Sequence, residues 1–261
     1  MVRSSTIVVK VPMDRSPDHL SSDRAISPTR LRAARGKRWA LRRWTFPAGV
    51  PAKVFCVGFN KTGTTSIAEL LQEFGLVTCH QTEWADLTDM ASSMLCDHEA
   101  FTDGEQPRID LFDQAFPGSK FILNTRELLP WLVSRVKWVR HRQTTGASGP
   151  MRTQFERLGL EECVLQWSAQ RDAYHRLVLE HFAHRQKDLL VINVVGDVQA
   201  GPRLARFLGV NPLIRPKVPH RNPSTIGVVS ELEASIGDTL RSAGLTDSDL
   251  RSETLTSHSW L

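Results

Sequence analysis

Residues 54–66 of the chain read VFCVGFNKTGTTS. The first four are apolar and lead to Gly58, a pattern typical of a short buried strand. The apolar residues that follow recur with the i, i+3, i+4, i+7 spacing of one helix face: Ile67, Leu70, Leu71 and Phe74. Gly75 suits the position just past that helix, where a left-handed turn often stands. The stretch therefore predicts a strand, a short loop and a helix in direct succession.

The loop between this strand and this helix carries groups that suit an anion. Backbone N–H groups at a helix start lack partners, and the helix dipole adds partial positive charge there. Gly63 allows the backbone to approach an anion closely, and Lys61 adds a full positive charge. The residues expected to bind the anion are Asn60, Lys61, Thr62, Gly63, Thr64, Thr65 and Ser66. A threonine-rich helix cap alone would explain only one or two of them.

The order of residues in this loop differs from that of nucleoside triphosphatases. Their motif places a lysine directly after its last glycine and before a serine or threonine that binds Mg²⁺. Here Lys61 comes two residues before Gly63. A small-molecule kinase or an ATPase is therefore the less favoured interpretation, and it stays open as an alternative.

Apolar runs and periodic stretches elsewhere predict further strands and helices. Strands are expected at 76–79, 120–124 and 189–194, and helices near 85–95, 131–138, 160–185, 204–208 and 226–240. The polar loop at 144–150 is a candidate lid. Strands that alternate with helices of this length predict an α/β fold, with a central parallel sheet flanked by helices on both faces.

Two segments resemble those of a known family. The stretch 58–66 resembles the 5′-phosphosulfate-binding loop of sulfotransferases that use 3′-phosphoadenosine 5′-phosphosulfate (PAPS). The stretch 116–126, which ends in Arg126 and is followed by Ser134, is similar to that family's 3′-phosphate-binding segment. The resemblance spans roughly 53–222. It implies a three-layer sandwich like that of P-loop NTPases.

The resemblance also implies a reaction and a set of roles. Lys61 would stabilise charge on the leaving phosphate as the sulfonate group moves from PAPS to a hydroxyl or amine. The loop amides and hydroxyls would hold the 5′-phosphate. Arg126 and Ser134 would clamp the 3′-phosphate, which distinguishes PAPS from ATP. No metal is expected, because the loop and the lysine supply the positive charge.

The chain departs from the family pattern in two places. Cytosolic members often carry an aromatic residue directly after the two threonines, where it packs on adenine, and here that residue is Ser66. Adenine must therefore be held in another way. A basic, glycine-containing closure near the C-terminus is also not recognisable, and His220 and Arg221 are candidate substitutes for it.

The acceptor, expected to be a carbohydrate or a small molecule, needs a general base. In this family the base is a histidine or glutamate that differs between branches. His80 follows the strand expected at 76–79, at the sheet edge where α/β proteins bind ligands. Glu83 lies in the region where carbohydrate-acting members place a glutamate. His98 and Asp103 are further candidates.

The formal net charge of +5 is concentrated near the N-terminus. Residues 30–43 hold seven basic residues and no acidic one, which leaves 26 basic against 28 acidic residues in the rest. We expect a flexible basic extension over 1–50, an α/β domain over 51–225, and a helix with a polar tail over 226–261. The stretch 30–44 is expected to contact an anionic surface only weakly, and no nucleic-acid partner is expected. A non-catalytic nucleotide- or nucleic-acid-binding protein stays open as an alternative.

Cysteine usage and hydropathy indicate a compartment. The four cysteines show no CxxC spacing, which disfavours a zinc site and predicts reduced, mostly buried thiols. The first 20 residues lack the apolar core of a signal peptide, and no apolar run approaches the roughly 18 residues needed to cross a bilayer. The expected location is the cytoplasm.

Overall fold

The computed structural model describes residues 44–214, 216, 218 and 229–260. The expectations for residues 1–43 and for His220 and Arg221 lie outside the described residues. Five strands pair in parallel, in the order β2-β3-β1-β4-β5. Their bounds are β1 (Val54–Cys56), β2 (Thr78–His80), β3 (Ala100–Thr102), β4 (Lys120–Asn124) and β5 (Leu189–Ile192). The predicted parallel sheet is confirmed.

The helices lie between the strands and after the last of them. They are α1 (Thr64–Glu73), α2 (Ser93–Asp97), α3 (Ile109–Ala115), α4 (Leu128–Thr144), α5 (Pro150–His181), α6 (Ala200–Phe207), α7 (Val229–Ser242) and α8 (Asp247–Leu250). Two 3₁₀ turns, Glu83–Asp86 and Gln186–Asp188, precede α2 and β5.

Helices cover both faces of the sheet, as the alternating side chains of β1 show. Val54 and Cys56 belong to a core that also contains Leu70 of α1 and Leu204 of α6. Phe55 points to the opposite face, into a second core with buried residues of α3, α4, α5 and α7. The sheet therefore forms the middle layer of a three-layer α/β sandwich, as the sequence predicted.

The chain between β2 and β4 differs from the sequence prediction. β3 was not predicted, because three residues are too few to show a period of two. The single helix expected over 85–95 is wrong, because the 3₁₀ turn at Glu83–Asp86 and the short α2 take its place. Trp84 in that turn is fully buried, and its indole N–H donates to the Thr102 carbonyl at 3.0 Å. This contact fixes the turn against the end of β3.

The longest helix also differs in its bounds. α5 begins at Pro150 rather than near 160, with the proline in the first turn, where its missing N–H costs nothing. Gly159 interrupts the helix with a φ of 78° and a ψ of −175°. That break explains why the apolar periodicity of the sequence shows only the part of the helix beyond it.

The strand order creates a switch point between β1 and β4. From β1 the chain runs through α1 toward β2 on one side, and from β4 it runs toward β5 on the other. β1 and β4 are direct neighbours, and Phe55 pairs with Phe121. Open α/β sheets bind ligands outside the carboxyl ends of their strands at such a point. The loops after β1 and β4 flank it.

The C-terminal part of the described chain packs on the side of α4 and α5. Leu232 and Ile236 of α7 share the core that contains Phe55. Beyond α8 the chain is held by hydrogen bonds, because Asp172 of α5 accepts from the Thr256 amide at 3.1 Å and from the indole of Trp260 at 2.9 Å. The last ten described residues are therefore tied to the longest helix.

All four cysteines are free thiols. Cys56, Cys79 and Cys163 are buried and Cys96 is exposed. Burial raises the pKa of the Cys56 thiol far above its ordinary value, so this thiol stays protonated and inert. In the part of the chain that the structure describes, no helix combines the length and apolar character needed to span a membrane.

Candidate donor-binding site

The loop after β1 contains two residues in the left-handed region. Lys61 has a φ of 64° and Gly63 a φ of 90°. A left-handed conformation costs an ordinary residue about 1–2 kcal/mol, so contacts around the loop must hold Lys61 in place. A Cβ at Gly63 would lie 2.4 Å from Cγ2 of Val194, in the chain after β5. The backbone therefore packs tightly at this position, where Gly63 forms the N-cap of α1.

The N-terminus of α1 presents backbone amides that are not used by the fold. Within the described residues, the N–H groups of 62–65 have no hydrogen-bond acceptor, and the bonding of α1 begins with the Ile67 amide on the Gly63 carbonyl at 3.1 Å. No acidic residue lies in the first turn, where Ser66 is buried and Thr65 is half-buried. Amides of this kind at the positive end of a helix dipole are suited to bind an anion.

Asn124, the last residue of β4, holds the loop from inside. Its Oδ1 accepts from the Gly58 amide at 3.0 Å, and its Nδ2 donates to the Phe59 carbonyl at 3.2 Å. Nδ2 also donates to the Thr62 hydroxyl, which in turn donates to the Phe59 carbonyl at 2.6 Å. The Thr62 hydroxyl is thus used within the loop. Its amide is the group left for an anion.

Asn60 is anchored by three partners. Its amide donates to Oε1 of Glu105 at 3.0 Å, and its carbonyl accepts from the indole of Trp131 at 3.0 Å. Its side-chain oxygen accepts from Arg135 at 3.1 Å. Arg135 is buried and forms an ion pair with Glu105 at 2.7 Å. In the structure Asn60 shapes the loop, and its role as a direct ligand stays a prediction.

Lys61 lies over an aromatic ring of α4. Its Nζ is 4.7 Å from the ring centre of Trp138, and the guanidinium of Arg142 is 4.8 Å from the same ring. Burial lowers the pKa of Lys61, nearby arginines lower it further, and the carboxylate of Asp103 opposes them. An anion at the loop would favour the charged form of this lysine.

Arg126 reaches across the switch point from the end of β4. Its NH1 donates to the Lys61 carbonyl at 3.2 Å. Burial lowers the pKa of Arg126, and the charge of Glu127 opposes that effect; an arginine remains protonated in either case. Ser134 lies one helical turn before Trp138 on α4, and is therefore on the side of α4 that meets Lys61. The two predicted phosphate-binding segments are thus adjacent.

Among the candidate bases, His80 contacts the first turn of α1. Its Nε2 lies 3.4 Å from the Thr65 hydroxyl, and its Nδ1 lies 2.7 Å from the Thr102 hydroxyl. His80 ends β2, so it stands at the carboxyl edge of the sheet, and it is exposed to solvent. An exposed imidazole beside the loop is open to an incoming acceptor.

The other candidate bases lie in three different settings. Asp103 follows β3 and accepts from the Thr64 hydroxyl at 2.8 Å, so it also lies beside the loop. Glu83 is exposed at the start of the 3₁₀ turn after β2. His98 precedes β3 and therefore lies at the amino edge of the sheet, away from the switch point. The structure brings His80 and Asp103 to the loop.

Two charged residues of the site were not found from the sequence. Glu105 and Arg135 hold Asn60, although they are 30 positions apart in the chain. No motif or periodic pattern in the sequence marks either residue. Among the described residues, no group of three or more His, Cys, Asp or Glu side chains is placed to hold a metal ion.

Fold and site together define an α/β protein with a loop and a helix N-terminus at the switch point of a parallel sheet. A family model described as the sulfotransferase domain matches residues 53–224 of the 261-residue chain. Because this match covers more than half of the chain, the protein belongs to the sulfotransferase family. A search of curated proteins found no match. The membership of the sulfotransferase family that the sequence predicted is confirmed.

Proposed function

We propose that the protein transfers a sulfonate group from PAPS to a hydroxyl or amine of a carbohydrate or small molecule. The observation that carries the proposal is the hydrogen bond from Arg126 to the Lys61 carbonyl at 3.2 Å. It joins the loop suited to a 5′-phosphosulfate with the residue suited to a 3′-phosphate. A donor that carries both groups fits this pair of neighbouring segments.

The residues present fit such a donor. The amides of 62–65 supply donors at the start of α1, and the hydroxyls of Thr65 and Ser66 lie in the same turn. Arg126 and Ser134 would hold the 3′-phosphate, Arg126 by the forked geometry that matches phosphate oxygens. This second clamp would favour PAPS over ATP.

Lys61 would act on the developing charge. In the transfer, the acceptor oxygen or nitrogen bonds to sulfur while the bond between sulfur and the bridging oxygen breaks, and 3′-phosphoadenosine 5′-phosphate (PAP) leaves. Negative charge grows on that bridging oxygen, and a nearby ammonium stabilises it. The ring of Trp138 holds Lys61 at the loop, and in the described structure no carboxylate is bonded to its Nζ.

His80 is the proposed general base, with Glu83 and Asp103 as the other candidates. The Thr102 hydroxyl lies 3.5 Å from the Cys79 carbonyl, to which it can only donate. Its oxygen is then free to accept from Nδ1–H of His80 at 2.7 Å, which places the lone pair on Nε2. Nε2 faces Thr65 in the first turn of α1. His80 would accept the acceptor proton at this atom.

The proposal is tested by radiolabelled transfer. The purified chain is incubated with PAPS labelled in its sulfonate group and a panel of sugars, phenols, alcohols and amines. We expect label in at least one acceptor and PAP as the second product. Lys61→Ala should lower the rate about 100- to 1,000-fold, as expected for loss of a charge that stabilises the transition state. Lys187→Ala, an exposed change before β5, should not. Label that stays in PAPS, or is released equally by both variants, would contradict the proposal.

The free thiols bear on the location of the protein. Four free thiols are consistent with a reducing compartment, and we propose the cytoplasm. The acceptor is the partner that a sulfotransferase requires. The expected absence of a nucleic-acid partner and the weak contact of residues 30–44 with an anionic surface stay predictions, as do the domain bounds at 50 and 225.

A further inference from the structure

A backbone carbonyl in the chain after α8 is linked to the backbone of Arg126 in the donor site. The carbonyl of Ser252 accepts from the Leu128 amide at 3.0 Å, at the start of α4. It also accepts from NH2 of Arg171 at 2.7 Å. The same NH2 donates to the carbonyl of Arg126 at 3.3 Å. Arg171 is 2% exposed, so this bridge between the two carbonyls is sealed from water.

The next residue contacts the loop after β5. The carboxylate of Glu253 accepts from Nδ2 of Asn193 at 2.9 Å. The side-chain oxygen of Asn193 accepts from the amides of Val195 at 3.1 Å and Gly196 at 2.9 Å, and thereby sets the turn after β5. That turn is the one that lies against Gly63. Ser252 therefore supports the backbone of Arg126, and Glu253 supports the turn beside Gly63.

Two buried aspartates fix this segment in place. Asp172, which is 2% exposed, accepts from the Thr256 amide at 3.1 Å, the Thr256 hydroxyl and the Trp260 indole at 2.9 Å. Asp249 accepts from the Ser257 amide at 2.6 Å. Burial would raise the pKa of Asp249, but hydrogen bonds from Ser257 and Thr246 lower it to about 2, so it stays ionised.

We propose that residues 251–260, the C-terminal segment, position the donor site, and that docking of this segment and binding of the nucleotide stabilise each other. The inference rests on the proposed function. The segment lies beyond the sulfotransferase match, which ends at residue 224. Its contacts place the backbone of Arg126 and the turn beside Gly63. The nucleotide would contact Arg126 and this turn from the side opposite to the segment.

Linkage makes the proposal measurable. If the docked segment holds Arg126 in its binding position, undocking lowers the affinity for the nucleotide. Bound nucleotide must then favour the docked segment by the same factor. A segment that only stabilises the fold would change the unfolding temperature without this reciprocity. The contribution of the 3′-phosphate to the affinity should fall most on undocking, because Arg126 is the proposed partner of that phosphate.

The test uses the full chain with PAP and adenosine 5′-phosphate, which lacks the 3′-phosphate. Hydrogen exchange should show that PAP slows the amides of 251–260 in the wild type. Glu253→Gln and Asp172→Asn should lower the affinity for PAP about tenfold, which is within the usual range of coupling between sites. The same changes should lower the affinity for adenosine 5′-phosphate much less. Glu180→Gln, an exposed change on α5, is the matched control and should bind like the wild type.

Each result has a distinct meaning. If the wild type binds PAP but exchange in 251–260 does not change and both variants bind PAP normally, the inference is overturned while the proposed function stands. If the wild type binds no PAP, the proposed function is overturned and the inference with it. Thr256→Val provides a second way to loosen the segment should Asp172→Asn fail to fold, and it should give the same loss of PAP affinity.

Discussion

The side-chain oxygen of Asn124 accepts a hydrogen bond from the backbone amide of Gly58 at 3.0 Å, across 66 positions of sequence. The same side chain donates to the Phe59 carbonyl at 3.2 Å. The last residue of β4 therefore holds the loop that follows β1. The two strands at the switch point therefore shape the loop together.

Loss of this bond should destabilise the protein. Asn124→Ala leaves the Gly58 amide buried without an acceptor, which costs about 1–3 kcal/mol of unfolding free energy. Urea unfolding followed by circular dichroism measures the change. Gln170→Ala, an exposed substitution on α5, serves as control. A midpoint for Asn124→Ala equal to that of the control would contradict the role of Asn124.

Substitutions at two glycines distinguish the cost of backbone strain from the cost of a steric clash at Cβ. Gly63 and Gly75 have similar φ values of 90° and 82°, but only at Gly63 would a Cβ meet another atom, 2.4 Å away on Val194. Gly75→Ala should therefore cost about 1–2 kcal/mol, the strain of a left-handed residue. Gly63→Ala should cost more and also abolish PAP binding. Thermal unfolding and PAP titration of the two variants give the comparison, and equal effects on PAP binding would contradict it.

Local patterns in the sequence were enough for four of the five strands and for the loop. The apolar run of β4 was predicted at its observed bounds, 120–124. The loop at 58–66 was recognised because its residues follow one another in the sequence. The pattern failed where structure depends on distant partners. The turn at Glu83–Asp86 forms because Trp84 is buried against Thr102, and β3 is too short to show alternation.

The candidate site shows the same division. Lys61 and Arg126 were identified by local motifs, and their proximity follows from neighbouring strands. The pair of Glu105 and Arg135 could not be foreseen, because each is an ordinary charged residue until the fold brings both to Asn60. Ion pairs across elements leave no periodic trace in a sequence.

Nucleotide binding should take up a proton at Lys61. Burial lowers the pKa of this lysine from 10.5, so between the lowered pKa and 10.5 the free protein holds it partly neutral. A bound anion favours the ammonium, so binding in that window takes up a proton, and affinity falls as pH rises through the lowered pKa. Calorimetric titration with PAP in two buffers of different ionisation enthalpy measures the uptake.

The matched variant for this effect is Lys61→Arg. It keeps the positive charge, and the pKa of an arginine stays above about 12 in proteins. The proton uptake should therefore disappear while some affinity for PAP remains. The same uptake in Lys61→Arg and in the wild type would assign the proton to another group and contradict the prediction.

The general base can be distinguished by separating turnover from binding. His80→Gln should lower kcat about 100-fold or more, the usual contribution of a general base, and leave the affinity for PAP nearly unchanged. Glu83→Gln and Asp103→Asn test the other two candidates in the same assay. His184→Gln, an exposed change just after α5, is the control. A loss of kcat that appears with Glu83→Gln and not with His80→Gln would move the role to Glu83.

The most direct test of the donor site is calorimetric titration with PAP beside ADP in the presence of EDTA. We expect metal-free binding that prefers PAP and that weakens in Lys61→Ala and Arg126→Ala. The exposed control changes Lys187→Ala and Arg206→Ala should leave it intact. No binding of PAP, or equal binding of ADP that requires Mg²⁺, would contradict the sulfotransferase donor site and favour a small-molecule kinase.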